Sequence, residues 1–128
     1  MENNNHDLIM KEVAELFSPV LLQSPQGVYL YLDEENRVCN QNFAEFLGYD
    51  SVQAWRFNTT PETDVSVEDR ENEEKAYYEA AELMKAVSLN VTYQRQDKIK
   101  IKASVIMIPF EYKDKLLVLH FVSSLDKQ

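Results

Sequence analysis

Apolar residues near the N-terminus recur at three- and four-residue steps from position 8 to position 21. This spacing predicts an amphipathic helix over 7–21, with Asp7 as a plausible N-cap. The polar residues 1–6 are expected to form a tail. The segment 28–32 is apolar or aromatic at every position, which predicts a strand with both faces covered. The pattern leaves open which set of its side chains points towards the main core.

A short strand and two helices are predicted next. Residues 37–39 form the strand, and Asn40 is placed to cap a short helix that ends at Gly48. After a loop without periodicity, the strongest helical pattern covers 68–87, with an acidic start that suits the helix dipole. The chain therefore changes from strands to helices and back again.

The last forty residues predict three strands over 89–94, 98–110 and 116–122, joined by short turns. Strands joined in this way are antiparallel neighbours. With the two early strands they predict an α+β fold: a five-stranded antiparallel sheet with helices on one face and an N-terminal amphipathic helix. We divide the chain into a tail and helix over 1–22 and a domain over 23–126.

Composition and charge exclude several classes of partner and site. Thirteen Lys and Arg oppose 22 Asp and Glu, giving a net charge of −9 and a pI near 4.7, which argues against nucleic acid and anionic membrane surfaces as partners. Residues 62–82 alone hold nine acids and two bases. The lone Cys39 gives neither an internal disulfide nor a metal-ligand spacing. No secretion signal or membrane span is apparent, so we expect a cytoplasmic protein.

Four segments between residues 18 and 125 resemble motifs of the PAS domain family. They are the Asn…Phe…Leu-Gly-Tyr helix at 40–49, the acidic helix start at 67–71, the Tyr-Arg…Asp turn at 93–97 with Lys98 in place of the family's glycine, and the end of the last strand at 123–126. The resemblance implies a sheet and helices that cup a small cavity. It also implies a sensory or dimerisation module. With no output domain expected in these 128 residues, signalling would pass through a protein partner or a dimer.

A candidate pocket follows from this resemblance and from the predicted inward positions. Its residues are Phe43, Phe46, Leu47, Trp55, Arg56, Phe57, Tyr77, Met84, Ile101, Ala103, Val105 and Met107. Haem is not expected, because the long helix over 68–87 has no His. A LOV-type covalent flavin is not expected either, because 51–57 has no Cys. A non-covalent flavin or a small organic ligand stays open, with Arg56 as the candidate cationic donor.

A homodimer is expected from the apolar second face of the sheet, because large exposed apolar patches are rare on monomers. The candidate interface consists of Leu8, Ile9, Val13, Leu16, Phe17, Ile106, Ile108 and Phe110. The helix over 7–21 would pack on this face in its own chain or in a second subunit.

No phosphate-binding loop, His pair or nucleophile–His arrangement appears, so we expect a non-catalytic sensory or interaction module, with no metal site. The alternative is an NTF2-like cone fold acting as an enzyme or small-molecule binding protein. A third reading is a scaffold with a filled core. The NTF2-like alternative wants an acid or His inside its pocket, and the sequence predicts no acid at the inward positions.

Overall fold

A computed structural model of the protein describes residues 2–58 and 60–125, except for the side chains of residues 2–4 and 62. The helices are α1 (Glu2–Leu16), α2 (Ser18–Gln23), α3 (Gln41–Phe46), α4 (Val52–Arg56) and α5 (Arg70–Leu83). The strands are β1 (Gly27–Asp33), β2 (Asn36–Cys39), β3 (Val87–Gln94), β4 (Lys100–Tyr112) and β5 (Lys115–Ser124). Two short 3-10 helices, Pro61–Asp64 and Val67–Asp69, precede α5.

The five strands form one antiparallel sheet in the order β2-β1-β5-β4-β3. This confirms the predicted fold class. The first strand lies beside the last, with Tyr29 opposite His120 and Leu30 opposite Leu119. The long segment from β2 to β3, which contains α3, α4 and α5, packs over one face of the sheet. We call this the front face.

The register answers the question that the sequence left open. Tyr29 of β1 packs against the front-face core, whereas Val28 and Leu30 are buried in a second core on the opposite face. Because successive strand residues point to opposite sides, Tyr31 also lies on the front face and lines its cavity. Both faces of β1 are therefore covered, as its apolar composition predicts.

The back face of the sheet is covered by the chain's own α1 and α2. Ile9, Met10 and Val13 are buried against β1 and β5. The predicted dimer residues therefore fall into three groups. Ile9 and Val13 are buried within the chain, and Phe17, Ile108 and Phe110 are half-buried there. Leu8, Leu16 and Ile106 remain exposed. Internal packing already satisfies the apolar side of α1, so only part of the predicted interface is available to a partner.

The helix boundaries differ from the predictions. The segment 7–21, predicted as one helix, is divided between α1 and α2, which meet at Phe17. The long helix begins at Arg70, two residues later than predicted. The first helix begins at Glu2, so residues 2–6 are helical and do not form the expected tail. The long helix ends at Leu83, because Met84 adopts a left-handed conformation with φ 50°. No helix in the described residues is both long enough and apolar enough to cross a bilayer.

Asn40 caps its helix as predicted, and Ser51 caps the next one. Asn40 Oδ1 accepts hydrogen bonds from the backbone N–H of Phe43 and of Val28, both at 3.0 Å, and its Nδ2 donates to Gln26 O at 2.9 Å. This single buried side chain therefore fixes the start of α3 against the start of β1. Ser51 Oγ accepts from the N–H of Ala54 at 3.0 Å and caps the exposed start of α4.

Candidate functional site

A cavity of about 450 Å³ opens between the front face of the sheet and the segment from α3 to α5. Side chains from all of these elements meet there. Its lining consists of Tyr29, Tyr31, Glu34, Arg37, Phe43, Trp55, Pro61, Asp64, Val65, Arg70, Glu71, Glu73, Glu74, Tyr77, Tyr78, Tyr93 and His120. Its size is that of a pocket for a small organic molecule.

Aromatic rings dominate this cavity. The rings of Tyr29 and His120 stack with centroids 3.9 Å apart and planes 10° apart, which follows from their direct pairing across β1 and β5. Phe43 packs edge-on against Trp55 at 5.5 Å and against Tyr93 at 6.2 Å. The cavity wall is thus a set of mutually supporting rings with defined orientations.

Two buried side chains in the lining have polar atoms without partners. His120 is 1% exposed, and its Nδ1 makes no hydrogen bond within the described residues. Tyr93 is 2% exposed, and its hydroxyl has no well-formed hydrogen bond; it makes only a weak hydrogen-bonding contact with the Tyr29 hydroxyl. Buried polar atoms are nearly always hydrogen-bonded in native proteins, so such exceptions need an explanation.

Burial also sets the charge of these groups. Desolvation lowers the pKa of His120 to about 3, so its imidazole is neutral at physiological pH. Desolvation raises the pKa of Tyr29 and of Tyr93 well above the usual value for a tyrosine, so both phenols stay protonated. The buried imidazole and phenol groups on the front face of the sheet are therefore neutral.

Arg37 is a cation in the wall of the cavity and is 2% exposed. Its Nη2 donates to the carbonyl oxygens of Trp55 at 2.9 Å and Asn58 at 2.8 Å, and more weakly to that of Arg56 at 3.2 Å. Its guanidinium also lies 4.4 Å from the centre of the Trp55 ring. These contacts fix the end of α4 against β2, so Arg37 has a structural role in shaping the wall.

Glu73 of α5 is a partly buried carboxyl group in the lining, and within the described residues it has no hydrogen bond or ion pair. Desolvation, aided by the neighbouring Glu74, raises the pKa of Glu73 from 4.5 to about 7. Asp64, in contrast, is held by Tyr49, whose hydroxyl donates to its Oδ1 at 2.6 Å. The expectation that no acid faces inwards is therefore wrong for both Glu73 and Asp64.

The structure brings some predicted pocket residues together and separates others. Phe43, Trp55 and Tyr77 line the cavity. Phe46, Leu47, Ile101, Ala103, Val105 and Met107 pack in the front-face core around it. Arg56, Phe57 and Met84 lie outside the cavity: Arg56 lines a groove beside α1, and Phe57 and Met84 are 70% and 47% exposed. Phe57 and Met84 directly follow the final residues of α4 and α5.

Principal cavity residues that are absent from the predicted pocket include Arg37, Glu73, Tyr93 and His120. Tyr93 carried the clearest signal, because it alternates with Val91 on the apolar side of β3. Arg37 looked like a surface residue of a short strand, and Glu73 was hidden within an acidic run. Only the tertiary packing of α4 and α5 buries these two charged groups.

No cluster of His, Cys, Asp or Glu in the described part of the chain is arranged to hold a metal ion. Cys39 is buried in the front-face core and is not part of the cavity lining. Desolvation raises the pKa of this thiol to about 12, so it is not a nucleophile under ordinary conditions.

No family model and no curated protein matches the sequence. Solved structures do match. A PAS domain from a two-component sensor histidine kinase superposes with a TM-score of 0.62 at 14% identity, over 89% of this chain and 98% of that one. The LOV protein of Rhodobacter sphaeroides superposes with a TM-score of 0.71 at 16% identity, over 91% of this chain and 69% of that one. The PAS domain of the fruit-fly ELK potassium channel superposes with a TM-score of 0.63 at 16% identity, over 92% of this chain and 98% of that one.

These matches cover nearly the whole chain, and the strand order agrees with an antiparallel sheet interrupted by helices after its second strand. They do not support the NTF2-like alternative. Identities of 14–16% carry information on the fold alone. We conclude that the chain is a PAS-fold domain.

Proposed function

We propose that this protein is a non-catalytic sensory module that binds a small organic ligand in the front-face cavity and passes the signal to a protein partner. The observation that carries the proposal is the pairing of a 450 Å³ cavity with two buried polar atoms, Tyr93 Oη and His120 Nδ1, that lack hydrogen-bond partners. A ligand in the cavity would supply those partners once the surrounding rings shift, because neither atom has accessible surface in the ligand-free protein. A scaffold with a filled core would need neither the space nor the polar atoms.

The sheet offers a direct route for the signal. Tyr29 and His120 line the cavity on the front face of β1 and β5, while their strand neighbours Leu30 and Leu119 contact α1 on the back. A ligand that shifts the stacked rings would therefore act on the strands that support α1. The position of α1 is then the output of the domain.

We further propose a second copy of the chain as the partner. The exposed side chains Leu8, Leu16 and Ile106 are the part of the predicted interface that internal packing leaves uncovered. They belong to α1 and to the back face, which is where the route from the cavity ends.

Native mass spectrometry and an absorption spectrum of the purified protein test the ligand. We expect an added mass that is lost on denaturation, and protection of α1 in hydrogen exchange that differs between the loaded and ligand-free protein. A Tyr93→Phe variant should retain less of the ligand, whereas Tyr112→Phe, in β4 and outside the cavity lining, serves as the control. Ligand retention that is unchanged in Tyr93→Phe, or the absence of any ligand from cell extract or a metabolite panel, would contradict the proposal.

A further inference from the structure

We infer that the cavity selects a small organic cation, a ring-bearing amine whose ammonium group pairs with Glu73 while its ring packs against the tyrosines. This inference rests on the proposed function and adds the chemical class of the ligand. It follows from the charge of the lining, the chemistry of the rings and the lack of a partner for Glu73.

The lining is acidic. It contains five carboxylate residues and two arginines, so its formal charge is negative. Arg37 and Arg70 keep their positive charge, but the carboxylate residues outnumber them. Both arginines also direct donors at main-chain carbonyl groups: Arg37 as described above, and Arg70 through its Nε, which donates to Val65 O at 3.0 Å. A ligand that approaches the cavity therefore meets a field that attracts cations and repels anions.

The rings favour the same class of ligand. The faces of tyrosine and tryptophan rings carry negative potential and attract ammonium groups, an effect that grows when water is excluded. Tyr31 and Tyr77 meet edge to face at 5.5 Å, and the Tyr77 ring lies nearly parallel to His120 at 6.5 Å. The ring set thus presents both stacking surfaces and electron-rich faces within one small volume.

Glu73 is the natural counter-ion for the ligand. It points into a lining where no described basic side chain pairs with it, and burial makes its negative charge unfavourable without a partner. An ammonium group beside it would satisfy this charge. The unpartnered Tyr93 hydroxyl and His120 Nδ1 on the opposite wall, formed by the sheet, would accept or donate hydrogen bonds to polar atoms on the ring.

The same features argue against a flavin nucleotide or another phosphorylated ligand. A phosphate group carries one to two negative charges, and the exposed residues Glu34, Glu71 and Glu74 stand around the cavity. Arg56, which the sequence analysis offered as the cationic donor, lies outside the cavity lining.

Three probes of equal ring and spacer but different charge test the inference: 2-phenylethylamine, 2-phenylethanol and 3-phenylpropionate. Binding to the full chain is measured by titration calorimetry and by the fluorescence of Trp55, which is the chain's single tryptophan and lines the cavity. We expect the amine to bind about tenfold more tightly than the alcohol, and the carboxylate to bind least. In Glu73→Gln this preference should disappear while the affinity for the alcohol stays the same.

Glu82→Gln is the matched control, because Glu82 is an exposed residue of the same helix outside the cavity lining. A preference for the carboxylate, a preference for the amine that survives in Glu73→Gln, or no binding of any probe would overturn the inference. These outcomes are separable from the proposed function: a ligand retained by the purified protein that is neutral or anionic leaves the cavity a binding site and refutes only the charge selection.

Discussion

Replacing Glu73 with glutamine is expected to stabilise the ligand-free protein at neutral and alkaline pH. Burial raises the pKa of this carboxyl from 4.5 to about 7 in the folded chain. Between these two values the folded state binds more protons than the unfolded state, so stability falls as the pH rises. Above the folded pKa the full cost of ionisation is present, and below the unfolded pKa it is absent.

The size of the effect follows from the pKa difference. Each pKa unit corresponds to about 1.4 kcal/mol, so full ionisation costs at most about 3 kcal/mol. The exposed part of the side chain reduces this figure, and we expect about 1 to 3 kcal/mol. Tyr29 and Tyr93 face Glu73 from β1 and β3 and stay neutral, His120 in β5 is also neutral, and Glu74 lies beside it on α5. The change in stability is therefore assigned to Glu73.

Urea unfolding of the ligand-free protein and of Glu73→Gln measures the difference at about pH 5 and about pH 8. We expect the variant to gain stability mainly at the higher pH. Glu82→Gln, on the exposed side of the same helix, should show no such dependence. An equal effect of Glu73→Gln at both pH values, or a loss of stability at the higher one, would refute a desolvated carboxyl group at this position.

Three further predictions concern the framework of the site. Asn40→Ala should lower the free energy of unfolding by about 2–4 kcal/mol, because it removes three hydrogen bonds. The control Ser51→Ala removes one exposed cap and should lower it by about 1 kcal/mol. Equal losses of stability in urea unfolding would contradict this prediction. Leu16→Glu should convert a dimer into a monomer in light scattering, and a surviving dimer would exclude this part of α1 from the interface. Cys39 should react with a maleimide only as fast as the chain unfolds, since burial raises its pKa to about 12; immediate labelling of the folded protein would disprove its burial.

The elements of the fold could be predicted because their signals are local. The side chain of Asn40 makes the cap that the sequence indicates, and Gly48 has the positive φ of 83° expected after the short helix. The alternation in β3 and β4 likewise matches the buried and exposed positions of those strands. Each of these features depends on residues close together in the chain.

The cavity could be predicted only in part, because its charged residues are buried by packing between distant elements. Arg37 is buried because the end of α4 and the nearby residue Asn58 present three carbonyl groups to it, and nothing within β2 indicates this contact. Arg56 stands between two aromatic residues in the sequence and was the more apparent candidate, yet its side chain leaves α4 on the side of α1. Periodicity identifies a face of a helix but not the neighbour that the face meets.

The polar groups of the cavity argue against the reading of this domain as a plain scaffold. A buried hydroxyl or imidazole nitrogen without a partner costs about 1–3 kcal/mol, and a desolvated carboxyl group adds a similar amount above its pKa. Tyr93, His120 and Glu73 together thus remove a large part of the 5–15 kcal/mol that typically stabilises a folded domain. Selection for stability alone would favour phenylalanine at 93 and glutamine at 73. The presence of tyrosine at 93 and glutamate at 73 is understandable if a bound molecule recovers the loss, because the same free energy then contributes to ligand affinity.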